Sequence, residues 1–139
     1  STVTPVAAGE NRYRVTEHRR LLENQAVDIV APDLPKVGGM RETRRIADVA
    51  NQYYVPVAMH NVASPVATMA GAHVAAAIPN ALALEFHSYE LGWWGDLVEE
   101  DVLEDGAVEI PERPGLGVTL DLDVVGEHLV EGETLFDPS

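Results

Sequence analysis

The sequence predicts an α/β protein of about four βα units, half of a TIM-type β/α barrel, followed by an irregular C-terminal segment. Three observations carry this. Glu10, Asp33, His60 and Glu85 each end a short apolar run, and the gaps between them are 23, 27 and 25 residues. That interval is about one strand plus one helix, and a polar group at the end of each successive strand is how such a barrel builds its rim. The runs themselves are nearly continuous in Val, Ile, Leu and Ala, the pattern of strands buried on both faces of a parallel sheet. Helical periodicity fills the intervals.

The first run, Val3 to Gly9, is a strand leading to Glu10. Thr16 is placed to cap a helix that carries Leu21 and Leu22 and ends near Gln25. Ile29 to Pro32 is the second strand, ending at Asp33. Ile46, Val49, Ala50 and Tyr53 fall at i, i+3, i+4 and i+7, one apolar face of a helix from about Arg41. Val55 to Met59 leads to His60. Pro5 and Pro56 each suit the first residue of a strand, where a lost donor matters least.

Pro65 suits the first turn of a third helix, Val66 to Ile78, whose alanines allow close packing on a sheet. Leu82 to Leu84 then leads to Glu85. Beyond residue 90 the regularity fails. Residues 91–139 read as a loop with Trp93-Trp94, an acidic stretch from Glu99 to Asp105, an extended Val108 to Pro111, a Pro114-Gly115-Leu116-Gly117 turn and a short helix near Leu122 to Leu129. No linker divides the chain, so residues 1–139 are expected to form one partial barrel domain, with residues 1–90 supplying the four units.

Composition excludes several classes. The chain has 139 residues, 46% of them hydrophobic, enough for one real core. With no cysteine, neither a disulfide framework nor a thiolate metal site can form. The longest apolar stretch, Pro65 to Ile78, is too short for a membrane span, and the first residues lack a basic-then-apolar leader. A cytoplasmic protein is the expectation. The formal charge is −14, from 23 acidic residues against eight arginines and the single Lys36. That field repels phosphates and anionic lipid, so nucleic acid and membrane are not expected partners. The near absence of lysine points to a surface adapted to high salt.

Taken singly, each rim residue has a plain structural reading: a Glu at a strand end is commonly a solvated loop residue, and a His in an α/β protein a satisfied core group. Their common phase with the strands is what points to a site. The set suits proton abstraction next to a carboxylate. The enediolate that forms needs electrostatic stabilisation, usually by a hard divalent cation, and Mg²⁺ prefers oxygen ligands such as Glu10. His60 can act as base. Asp33 on the neighbouring strand can fix its tautomer. A protonated Glu85 can hydrogen-bond the developing enediolate. His73 reads as structural, His87 as a secondary candidate, Gly38-Gly39 as close packing at a helix start, and Ser88–Glu90 and Glu99–Asp101 as solvated surface. Trp93-Trp94 reads as a docking surface for a further domain, with the lining of a substrate mouth as the second reading.

Val6-Ala7-Ala8-Gly9-Glu10-Asn11, Pro32-Asp33-Leu34-Pro35-Lys36-Val37-Gly38-Gly39, Met59-His60-Asn61, Leu84-Glu85 and Pro114-Gly115-Leu116-Gly117-Val118 together resemble the enolase superfamily of mandelate racemase type. The resemblance runs from about Thr4 to Leu129 and covers the carboxyl-terminal half of that barrel. It implies that Glu10 is a Mg²⁺ ligand, that His60 and Asp33 form the base dyad, and that Glu85 lies beside the substrate carboxylate. The muconate-lactonising branch has a catalytic lysine at the position of Asp33, so Asp33 with His60 resembles the racemase or acid-sugar dehydratase branch. The motifs are most similar to those of galactonate and gluconate dehydratases, in which the matching His removes the proton alpha to the carboxylate and hydroxide leaves from the next carbon.

A complete barrel has eight units in about 250 residues. The resemblance therefore implies further partners: a capping domain and a first half that carry the remaining metal ligands. The chain alone is expected to hold Mg²⁺ poorly and to turn over no sugar acid. Its open strand edges, Val3–Ala8 and Ala83–Phe86, favour a homo-oligomer. A racemase or epimerase using the same dyad, and a non-catalytic half-barrel module, are the alternative readings.

Overall fold

A computed structural model describes residues 3–87 and 91–135; the Ser88–Glu90 reading lies outside them. Four strands, β1 (Ala7–Ala8), β2 (Ile29–Val30), β3 (Val57–Met59) and β4 (Ala81–Leu84), form one parallel sheet in the order β1-β2-β3-β4. Each is followed by helix or by the C-terminal segment, so consecutive strands are neighbours, as in a barrel wall. Register pairs Ala8 with Val30, Val30 with Val57 and Met59 with Leu84. Beyond the regular ladder, Asp33 and His60 bridge in parallel register.

Helix α1 (Arg14–Glu23) starts two residues before the expected cap, and Thr16 lies inside it. The Glu17 carboxylate accepts from the Tyr13 N–H at 2.8 Å and does the work expected of Thr16. A second N-terminal donor, the Val15 N–H, is satisfied across the fold by Glu42 at 2.9 Å. A short helix, α2 (Leu34–Val37), was not expected from the sequence. Asp33 caps it, accepting from the Lys36 N–H at 3.0 Å, and Pro35 fits its first turn.

Gly38 and Gly39 take φ of +112° and +91° to pass from α2 into α3 (Met40–Gln52). A Cβ at Gly39 would meet nothing within 4 Å, so conformation and not close packing calls for this pair. Helix α3 buries Ile46 and Ala50 as its periodicity predicts, but Tyr53 falls beyond the last turn and is 40% exposed. Helix α4 (Pro65–Ala77) is capped by Ser64, with Pro65 at its first position. Its close approach to the sheet falls at a glycine: a Cβ at Gly71 would come within 3.1 Å of Leu84 on β4.

The core lies between the sheet and α1, α3 and α4, around Val30, Ile46, Ala47, Val57 and Met59. The opposite face of the sheet is covered less than the apolar runs suggest. Val57 and Met59 are buried while Ala58 between them is partly exposed, and Leu82 is 58% exposed. The prolines stand just outside the ladder: β3 begins at Val57, and Pro56 takes part only through its carbonyl, which accepts from the Val30 N–H at 3.0 Å.

The C-terminal segment folds back over α4. Residues 108–111 carry no helix or strand, and antiparallel bridges join Val98 to Leu120 and Glu104 to Ala107. A short helix, α5 (Leu122–Glu127), is capped by Asp121. His128 stacks on Trp93 with ring centroids 3.9 Å apart, so this tryptophan is engaged within the chain.

Candidate functional site

The sheet delivers all four predicted residues to one rim, because the parallel strands run in step and each residue stands just past the end of its strand. Glu10 follows β1 through Gly9, whose φ is +134°. Asp33 is buried at 4% exposure, His60 is partly exposed and Glu85 is exposed.

Asp33 and His60 are brought together by register. As bridge partners they stand side by side, and Asp33 Oδ2 lies 2.9 Å from His60 Nδ1. Both oxygens of Asp33 act as acceptors, Oδ1 for the Lys36 N–H and Oδ2 for the imidazole. The ring nitrogen facing Asp33 therefore carries the proton, and Nε2 keeps a lone pair toward the rim. Glu85 Oε2 is 3.9 Å from that Nε2. The imidazole is held by one carboxylate at Nδ1 and faces a second across Nε2.

Glu10 sits at the other side of the rim. Its Oε2 accepts from the Gly9 N–H at 3.1 Å and its Oε1 from Asn11 Nδ2 at 3.1 Å. Its own backbone N–H and that of Gly9 hold this carboxyl below the usual carboxylate value, and the charge of Lys36 acts in the same direction. Lys36 Nζ donates to Asn11 Oδ1 at 3.1 Å and lies 3.8 Å from Asp33 Oδ2, so the lysine links the two halves of the rim.

A hard, ionised oxygen donor at Glu10 suits Mg²⁺. The fit is partial: among the described residues, no group of three His, Asp or Glu side chains stands close enough to hold a metal. The 290 Å³ cleft lined by Ala72, Leu84, Leu103, Val108 and Ile110 has no titratable lining residue and is not where proton chemistry sits.

His73 is structural as expected; its Nε2 lies 3.0 Å from the Leu116 carbonyl and ties α4 to the Pro-Gly-Leu-Gly turn. Sequence reading passed over His18, Asn61 and Thr68. His18 is fully buried beneath Gly9, its Nδ1 donating to the Arg14 carbonyl at 2.9 Å. Its position on the inner face of α1, four residues before Leu22, was the available signal. Asn61 and Thr68 join the ends of β3, α4 and β4 through hydrogen bonds; Asn61 stands in the Met59-His60-Asn61 motif, but nothing local pairs it with Thr68.

The chain is similar to known proteins over nearly its whole length. A model of the family described as enolase C-terminal domain-like matches residues 1–124. The chain is 72% identical to a D-xylonate dehydratase of Haloferax volcanii over 99% of its own length and 34% of that protein. It is 34% identical to a D-galactonate dehydratase of Ralstonia pickettii, covering 99% of the chain and 38% of the relative. Among solved structures, a mandelate racemase/muconate lactonizing enzyme-like protein from Rubrobacter xylanophilus superposes with a TM-score of 0.90 at 45% identity, over 99% of this chain and 36% of that one. The chain thus spans about a third of the length of the relatives it matches.

Proposed function

The chain belongs to the enolase C-terminal domain-like family, and from that premise we propose that it carries the base side of a Mg²⁺-dependent sugar-acid dehydratase. The observation that carries the reading is the 2.9 Å contact between Asp33 Oδ2 and His60 Nδ1, which leaves Nε2 as an oriented base on the rim. Relatives that are themselves sugar-acid dehydratases support the substrate class.

In this reading His60 Nε2 takes the proton from the carbon alpha to the substrate carboxylate. The bonding pair passes into an enediolate, and its collapse to a carbon–carbon double bond expels the hydroxyl of the next carbon, which leaves as water after taking up a proton. The enol then becomes a 2-keto acid. Asp33 stabilises the imidazolium and holds the ring in place. Glu85 stands 3.9 Å from Nε2 and faces the substrate carboxylate or the enediolate. When bound, Mg²⁺ would supply positive charge that stabilises the enediolate, with Glu10 as one ligand. The other ligands and the opposing acid-base group come from outside this set, so the chain alone turns over nothing. The acidic surface reads as adaptation to high salt.

The test is a chimera: the matching segment of the D-xylonate dehydratase relative is replaced by this chain and assayed on D-xylonate with Mg²⁺. The expected result is 2-keto acid formation that His60→Asn abolishes, with no product from the chain alone. A folded chimera that racemises its substrate without dehydrating it, or does neither, defeats the reading.

A further inference from the structure

We propose that Asn61 is a positioning residue that aims Glu85 at His60. The inference rests on the reading of His60 and Glu85 as reacting groups. Asn61 follows His60 directly and is only 6% exposed. A buried carboxamide is costly unless its N–H groups find partners. Both do. Nδ2 donates to Thr68 Oγ1 at 2.9 Å and to the backbone carbonyl of Glu85 at 3.0 Å.

The direction of these bonds is fixed. The Thr68 hydroxyl gives its proton to the Ser64 carbonyl at 3.2 Å, which leaves it an acceptor toward Asn61. Turning the amide over would set its oxygen against two acceptors. The backbone N–H of Asn61 adds a third bond, to Glu85 Oε2 at 3.3 Å. One residue therefore grips Glu85 at both its main-chain carbonyl and its carboxylate.

The fold explains why a grip is needed here. Glu85 stands at the end of β4, which pairs only with β3 among the described residues. The ladder closes with the Glu85 N–H donating to the Met59 carbonyl at 2.9 Å. Past that bond no strand among the described residues takes the Glu85 carbonyl, and the Asn61 side chain substitutes for the ladder. Thr68, in the first turns of α4, completes the anchor. Without it an exposed glutamate at the end of an edge strand has many rotamers, and few of them lie 3.9 Å from His60 Nε2.

The test uses the 139-residue chain and the ring resonances of His60 in nuclear magnetic resonance spectra at fixed pH. In the parent, Glu85→Gln is expected to displace those resonances. In an Asn61→Leu background the same change should displace them by less than half as much. Thr68→Val should weaken the displacement similarly by removing the acceptor, and Thr68→Ser should restore it. If Asn61→Leu fails to fold, the Thr68 pair decides the matter. Equal displacement in parent and variant backgrounds, or none in the parent, overturns the proposal. Asp33→Asn in the same spectra reports on the dyad separately, since it should abolish a slowly exchanging His60 Nδ1–H signal. An unchanged signal there would count against the dyad reading and leave the Asn61 result standing.

Discussion

Asp33 serves His60 and α2 with different oxygens: Oδ2 meets His60 Nδ1 at 2.9 Å, while Oδ1 caps the helix through the Lys36 N–H at 3.0 Å. The same carboxylate therefore orients the imidazole and starts the short helix that carries Lys36. Asp33→Asn keeps an oxygen for the cap but presents an N–H₂ to the imidazole, which favours the wrong tautomer. In the chimera kcat should fall by roughly 10³–10⁴-fold, with less than about 1 kcal/mol lost from the folding of the chain. Asp33→Ala should add the loss of the cap, read as a lower melting temperature.

In the proposed reading Glu10 contributes one oxygen ligand. Millimolar Mg²⁺ should leave the melting temperature of the isolated chain unchanged within about 1 °C, since stabilisation requires ligand well above its dissociation constant. In the chimera, Glu10→Gln should raise the Mg²⁺ needed for half-maximal activity by roughly tenfold or more. A metal requirement indifferent to this change would remove Glu10 from the metal site.

Glu42 ties α3 to the start of α1. The Val15 N–H, accepted at 2.9 Å, holds its carboxyl below the ordinary value of 4.5, and Arg45 reinforces the effect. A depressed folded-state value gives stability that is fully present above the ordinary value and is lost as pH falls through the folded one. Acid should therefore destabilise the parent below about pH 4.5 more steeply than Glu42→Gln. Near neutrality the variant should be less stable by about 1 kcal/mol, measurable by urea unfolding across pH.

Gly9 has both a positive φ and a crowded site. An added Cβ would lie 3.3 Å from His18 Cδ2 and Nε2 and 3.4 Å from the Ala31 nitrogen. Gly9→Ala should cost about 2 kcal/mol. Adding His18→Ala removes the steric part and leaves the backbone strain, so the double variant should not behave as the sum of the two changes.

The charge of −14 should make stability salt-dependent. Raising KCl from 0.1 to 2 M should increase the melting temperature by several degrees as screening relieves carboxylate repulsion. A flat or falling curve would remove the high-salt reading of the surface.

Much of this molecule was legible because its signals are local. Ser64-Pro65 marks the start of α4, the spacing of Ile46 and Ala50 marks the inner face of α3, and the polar residue closing each apolar run marks a strand end. Thr16 misled because Ser and Thr mark helix starts only on average. Here Glu17, one helical turn further on, takes the Tyr13 N–H, and Glu42 reaches Val15 from a different helix.

By itself, then, the sequence determined the order of strands and helices and the four residues at their ends, since helix and strand periods and capping act within a few positions. Tertiary structure decided the atoms by which they meet. Register set Asp33 against His60 across 27 residues. Folding α4 onto β4 joined Asn61 and Thr68 to Glu85, and α1 brought His18 under Gly9. The physical reason is that a buried donor is satisfied by whatever acceptor packing brings to it, and packing depends on the whole sheet and not on any window of the chain.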